Sequence, residues 1–206
     1  DPYLHHWKLD ARGCVFGVND IIVPFRPMVG CVGVAPETDE RLDTLPPRDN
    51  GGTLDIRHLT IGATLTLPVY RDGAGVGVGD AHAAQGDGEV CGTGVEAPMQ
   101  TTVRLTARPD IPAGPLRMSL PAKPAEQCAQ ASREIFIATG RDAHECNRDA
   151  VRQAVDYLAG RHHIRREQAM VLASAVCDVR MSQVVNAGHY TVTAHLPTIR
   201  TEAANS

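Results

Sequence analysis

Apolar and polar residues alternate with a short period through the front of the chain and with a helical period near its end. Gly13–Val18 and Asp20–Val23 are short apolar runs parted by Asn19, a turn-former. Phe25–Pro36 reads as a buried strand with prolines at its ends, where a missing N–H does least harm. Glu37–Gly52 is polar and holds Pro46-Pro47 and Gly51-Gly52, a long loop of the kind that often carries function. Thr60–Tyr70 alternates as a strand, with Leu65, Leu67 and Val69 on one face, and Thr101–Ala107 alternates again. Pro109–Gln130 contains five prolines and reads as a connection, with Arg117–Leu120 as a short strand.

The period then changes. Asp142 is a good helix N-cap, with Glu145 placed to complete a capping box. Val151, Ala154, Val155 and Leu158 fall on one helical face, and Gly160 is the expected stop. A second helix is expected at about Arg165–Ala175, then strands at Val179–Val185 and Tyr190–Leu196. The pattern divides the chain into a β-rich part (1–108), a Pro-rich connection (109–130) and an α+β part (131–206). The fold class is therefore mainly β with an α+β C-terminal part, not an alternating βαβ series.

Composition narrows the function. With 19 Gly and 14 Pro, the chain exceeds the roughly 12% share of average usage, which favours turns and short strands. A net charge of −4 gives no basic footprint for nucleic acid, and 4% aromatics leave few stacking platforms. No stretch approaches the roughly 20 apolar residues of a membrane helix. The six cysteines, Cys14, Cys31, Cys91, Cys128, Cys146 and Cys177, are scattered with no C-x-x-C pair. They read as reduced thiols of a cytoplasmic protein rather than a disulfide frame or a zinc knuckle.

Val76–Glu96 gathers Asp80, Asp87, Glu89, Glu96, His82, Gln85 and Cys91 in a Gly-rich frame. Asp80 and His82 are two apart and share a face if the backbone is a strand; Asp87 and Glu89 repeat the spacing. Two readings stand. The Asp-Gly and Gly-Asp pairs are ordinary turn chemistry. Alternatively, the imidazole and carboxylates hold a divalent cation, zinc or calcium, with a position left for water. Asp55, following a Gly turn, is a further carboxylate candidate. Cys91 beside His82 is a nucleophile only if its thiol pKa is depressed.

Phe25-Arg26-Pro27-Met28-Val29-Gly30, Gly51-Gly52-Thr53-Leu54-Asp55-Ile56-Arg57, Gly62–Val69 and Gly79-Asp80-Ala81-His82-Ala83-Ala84-Gln85-Gly86-Asp87-Gly88-Glu89-Val90-Cys91-Gly92-Thr93 together resemble the acetamidase/formamidase family. The likeness continues in Asp178–Val185 and Leu196-Pro197. Thr53 stands where the family usually has Asn. The resemblance implies a β-sandwich or barrel-like architecture, a divalent metal site, assembly into homo-oligomers and hydrolysis of a short aliphatic amide to carboxylate and ammonia. It also implies a further N-terminal β segment, so that this chain is expected to be a truncated member or a fragment. On that basis Asp80, His82 and Asp55 are the expected metal ligands. Glu89 is the expected proton shuttle, with Cys91 a secondary catalytic candidate, and Gln85, Asp87 and Arg57 are expected to bind substrate. The alternative is a degenerate member whose cation only braces loops or which binds a small ligand without turnover. A Glu-Lys-Cys triad is disfavoured because the only lysines are Lys8 and Lys123, the second between prolines; no Ser-rich run offers a Ser-Ser-Lys site.

Overall fold

The structure, a computed structural model, describes residues 3–19, 21–121 and 133–199. Cys128, Lys123 and the polar tail from residue 200 lie outside the described residues. Among the described residues the architecture is mainly β, with three antiparallel sheets and two helices. A small sheet pairs β1 (Lys8–Asp10), β2 (Gly13–Val15) and β3 (Ile22–Val23). A second orders β5 (Gly51–Thr53), β4 (Met28–Gly33) and β7 (Gly77–His82). The largest runs β10 (Asp178–Asn186), β11 (His189–Pro197), β9 (Arg133–Gly140), β8 (Arg117–Leu120) and β6 (Thr64–Thr66). It therefore draws one strand from the β-rich part, one from the Pro-rich connection and three from the C-terminal part.

β9 explains how this sheet organises the molecule. Phe136 and Ala138 face α1 (Ala143–His162) and α2 (Arg166–Val176), where they pack with Leu158, Val192 and Leu196. Ile135 and Ile137 point to the other face and pack with Leu54, Ile56, Leu116 and Met118. Leu54 and Ile56 are fully buried, and each such side chain contributes about 1.5–3 kcal/mol on burial. They hold the intervening Asp55 in a fixed place.

Asp142 caps α1 as expected, accepting from the N–H groups of His144 and Glu145. Glu145 does not close the capping box; it pairs with Arg148 instead. The helix runs past Gly160 and stops at His163, which adopts the left-handed conformation. Thr101–Ala107 keeps its alternating pattern but pairs with no strand, and Val103 and Leu105 are exposed. An extended segment becomes a strand only where a neighbour accepts its hydrogen bonds. The strand expected over Thr60–Tyr70 shortens to Thr64–Thr66 because only there does β8 lie alongside. Among the described residues no helix is long and apolar enough to cross a membrane.

Candidate metal centre

Three segments converge on His82. The first is the end of β7, whose register against β4 skips one position: Cys31 faces Gly79 and Val29 faces Ala81. Asp80 occupies the skipped position with φ 60° and turns its carboxylate toward His82, Oδ1 to Nε2 3.3 Å. The second is the turn after β5, where Asp55 has φ 48°. The third is the loop after β7, where Glu89 has φ 45°. All three carboxylates thus sit on left-handed backbone. Asp tolerates this better than Glu, and such strain concentrates at functional sites.

The imidazole is oriented by Gln85. The Gln85 Nε2 amide donates to the Asp55 carbonyl at 2.7 Å, so Oε1 is the atom 2.7 Å from His82 Nδ1. Nδ1 therefore carries a proton. The other nitrogen, Nε2, faces Asp80 at 3.3 Å and Glu96 at 3.1 Å. Its lone pair would repel these oxygens unless a proton or a cation lies between. Burial works against charging His82, but the Gln85 hydrogen bond and the carboxylates of Glu96, Asp80 and Asp55 outweigh it and raise its pKa.

Asp55 is 1% exposed. Asn186, at the tip of the β10–β11 hairpin, donates to Asp55 Oδ2 at 2.6 Å, while Oδ1 has no hydrogen-bond partner among the described residues. Burial raises the Asp55 pKa against that hydrogen bond. Glu89 is also buried, its Oε2 is likewise without a partner, and burial followed by the charge of Asp55 pushes its carboxyl up to about 7. Two sets of three ligand atoms lie within 4.8 Å of one another: Asp55, His82 and Glu89, and Asp80, His82 and Glu96. Buried carboxylate oxygens left without donors are costly, and a divalent cation would supply the compensating positive charge. Imidazole nitrogen with carboxylate oxygen is a donor set that zinc and calcium both accept.

Backbone geometry leaves room for this cluster. A Cβ on Gly30 of β4 would lie 2.6 Å from Asp80 Oδ2 and collide with Asp55 Oδ1. A Cβ on Gly94 would lie 2.6 Å from His82 Nδ1. Thr53 uses its hydroxyl on the Thr44 carbonyl and on the Cys31 thiol, which burial pushes up to about 12.

Of the residues singled out in the sequence, Asp55, Asp80, His82, Gln85 and Glu89 come together. Asp87 and Glu89 do not share a face. Gly88 at φ 95° and Glu89 make a turn, held to β10 by Gly88 N–H to Ser182 and Val184 N–H to Gly88. Asp87 pairs instead with Arg57 at 3.1 Å and Arg180 at 3.3 Å. Arg57 and Asp87 are thus engaged by protein charges, and Gln85 by His82 and Asp55. Cys91 is exposed, its thiol directed to Thr93, and makes no hydrogen bond to the cluster. Gly30 and Asn186 received no role from the sequence, and Glu96 was gathered with the other carboxylates without a role of its own. Asn186 lies 131 positions from its partner Asp55, a separation that no local pattern bridges.

A mainly β chain that buries one imidazole among convergent carboxylates presents a divalent-cation donor set. The profile of the acetamidase/formamidase family matches residues 31–200, and the chain belongs to that family. It is 27% identical over 173 residues to a formamidase of Methylophilus methylotrophus, an overlap of 75% of this chain and 41% of the relative. Over 51 residues it is 49% identical to an acetamidase of Mycolicibacterium smegmatis, covering 24% of this chain and 13% of the relative. The fold matches crystal structures of acetamidases from Bacillus halodurans (TM-score 0.72, 28% identity, 93% of this chain and 60% of that one) and Yersinia enterocolitica (TM-score 0.73, 28% identity, 93% and 54%). The chain thus spans less than half the length of the Methylophilus relative and little over half that of the two solved structures.

Proposed function

We propose that the chain carries the centre of an amidohydrolase that cleaves short aliphatic amides, formamide or acetamide, to carboxylate and ammonia. The observation that carries this is the buried Glu89 carboxyl, titrating at about 7 beside His82 and Asp55. The names of the relatives, formamidase and acetamidase, point the same way. His82 through Nε2, Asp80 and Asp55 would hold a divalent cation. When bound, such a cation polarises an amide carbonyl and lowers the pKa of water toward neutrality.

The protein's own groups do the rest. Gln85 keeps the His82 proton on Nδ1, so Nε2 is available as a ligand. Asn186 ties one Asp55 oxygen and leaves the other free. Glu89 accepts a proton as water adds to the carbonyl and returns it to the departing nitrogen. The C–N bond breaks as ammonia leaves, and the carboxylate keeps the new C–O bond. Burial, which raises the Glu89 carboxyl above its ordinary range, suits a group that both takes and returns a proton. Arg57 and Arg180 clamp Asp87 and so fix the loop that carries Glu89.

The same reading includes assembly into homo-oligomers, supported by large apolar side chains at the surface, among them Ile61, Val90 and Leu105. The free thiols of the described cysteines support a reducing, cytoplasmic setting.

Ammonia release from formamide and acetamide by the chain loaded with zinc or with calcium tests the proposal. Release is expected, with Glu89→Gln slower by about 10²–10⁴-fold and alkylation of Cys91 without effect. No release from either loaded form overturns it and favours a cation that only braces loops.

A further inference from the structure

The two ligand sets share one nitrogen but differ in exposure. Asp55 and Glu89 are buried, whereas the side chains of Asp80 and Glu96 are 34% and 49% exposed. Glu96 is not a loose surface acid. Its carboxylate accepts from the Gly94 N–H at 3.0 Å, and its backbone bridges His82. The neighbouring Ala97 N–H donates to Ala81. These contacts hold Glu96 Oε1 at 3.1 Å from a His82 nitrogen that belongs to a residue only 1% exposed. That nitrogen keeps its lone pair, because Gln85 holds the ring proton on Nδ1. Asp55 and Glu89, each with one unpartnered oxygen, bring ligand atoms to within 4.8 Å of a His82 nitrogen.

An open groove of about 410 Å³ runs beside β7, lined by Val78, Asp80, Ala97, Met99 and Val103 among others. Of the cluster it touches Asp80 alone, and not His82, Glu96, Asp55 or Glu89. A solvated ion arriving from solvent therefore meets the half-exposed carboxylates of Asp80 and Glu96 before the buried ones of Asp55 and Glu89. The half-exposed pair holds a partly hydrated cation without the desolvation that the buried pair demands.

We propose that Asp80, His82 and Glu96 form a capture station through which a divalent cation reaches Asp55. Glu96 acts in the first stage only; Asp80 and His82 serve both stages, so the ion keeps its nitrogen ligand as it exchanges Glu96 for Asp55. This rests on the reading that the centre holds a divalent cation.

The test is stopped-flow binding of Zn²⁺ to the metal-stripped full chain, followed with a chromophoric zinc indicator. Glu96→Gln slows association about tenfold, the order expected for one charge facing the path. Dissociation slows in parallel, leaving the equilibrium constant nearly unchanged. Glu96→Asp, which keeps the charge, restores the association rate. Asp55→Asn leaves association intact and speeds dissociation. An unchanged association rate in Glu96→Gln, or weakening that arises wholly from faster dissociation, overturns the proposal. A wild-type chain that binds no Zn²⁺ removes the cation centre itself, a result distinct from either.

Discussion

Glu89→Gln isolates the consequence of burying a carboxyl among other carboxylates. Glu89 is 6% exposed, and its pKa moves from 4.5 to about 7, chiefly through burial. The folded protein thus holds this proton more tightly than the unfolded chain. Between pH 4.5 and 7 the native state carries more protons at this group, so stability falls as pH rises. The contribution is complete below 4.5 and lost above 7. The separation corresponds to about 3 kcal/mol. Other groups titrate nearby. His58 and His195 are held down to about 4 and about 3 by burial, and they add stability as pH rises through that range toward 6.5. His82, raised by Gln85 and its carboxylates against burial, tilts the other way. All three remain in the variant, so the stability difference between wild type and Glu89→Gln reads Glu89. Urea unfolding in EDTA, followed by helical circular dichroism at several pH values from 4.5 to 7.5, measures it. The difference should shift by about 3 kcal/mol in favour of Gln across the window. A flat difference, or one that moves toward the wild type, would refute the argument that burial raises the Glu89 carboxyl toward neutrality, and with it the fitness of that group for the proton transfer assigned to it.

Further outcomes follow from single contacts. Gly30→Ala, whose Cβ would meet Asp80 Oδ2 at 2.6 Å, should weaken zinc binding at least about tenfold by calorimetry while far-ultraviolet dichroism stays native; unchanged affinity would mean the two carboxylates do not share that space. Gln85→Leu removes the acceptor from His82 Nδ1 and the donor from the Asp55 carbonyl. It should lower unfolding stability by about 1–3 kcal/mol and zinc affinity by about 10–100-fold, with Gln85→Glu recovering part of the affinity. Leu158→Ala, in the core between α1 and the large sheet, should cost about 2–5 kcal/mol in urea unfolding yet leave zinc affinity unchanged.

The parts of the fold legible in the sequence are those whose signals are local. Asp142 and the Val151–Leu158 spacing announce α1 because a cap and one apolar stripe suffice to define a helix. β9 went unread because it is buried on both faces. Ile135-Phe136-Ile137-Ala138 shows no alternation, and only its packing between two cores reveals a central strand. Thr101–Ala107 alternates without a partner, so its pattern alone overstated the pairing. The site follows the same rule. Asp80, His82, Gln85 and Glu89 lie within one short stretch, and their chemistry stands out together. Asn186 enters through a hairpin whose turn, Ala187-Gly188, is built on left-handed backbone, and Gly30 through the space it leaves empty. Neither leaves a mark near the motif. Asp87 and Glu89 do not repeat the Asp80–His82 arrangement, because a spacing of two defines a face only on a strand, and Gly88 bends the chain there.

The most direct test of the account is an anomalous-difference map at the zinc edge from crystals of the full chain grown with Zn²⁺. The account predicts one dominant peak about 2.0–2.2 Å from His82 Nε2 and from an Asp55 oxygen, lost in His82→Ala. A peak bonded elsewhere, or His82 Nε2 bonded to no metal at saturating zinc, would contradict it.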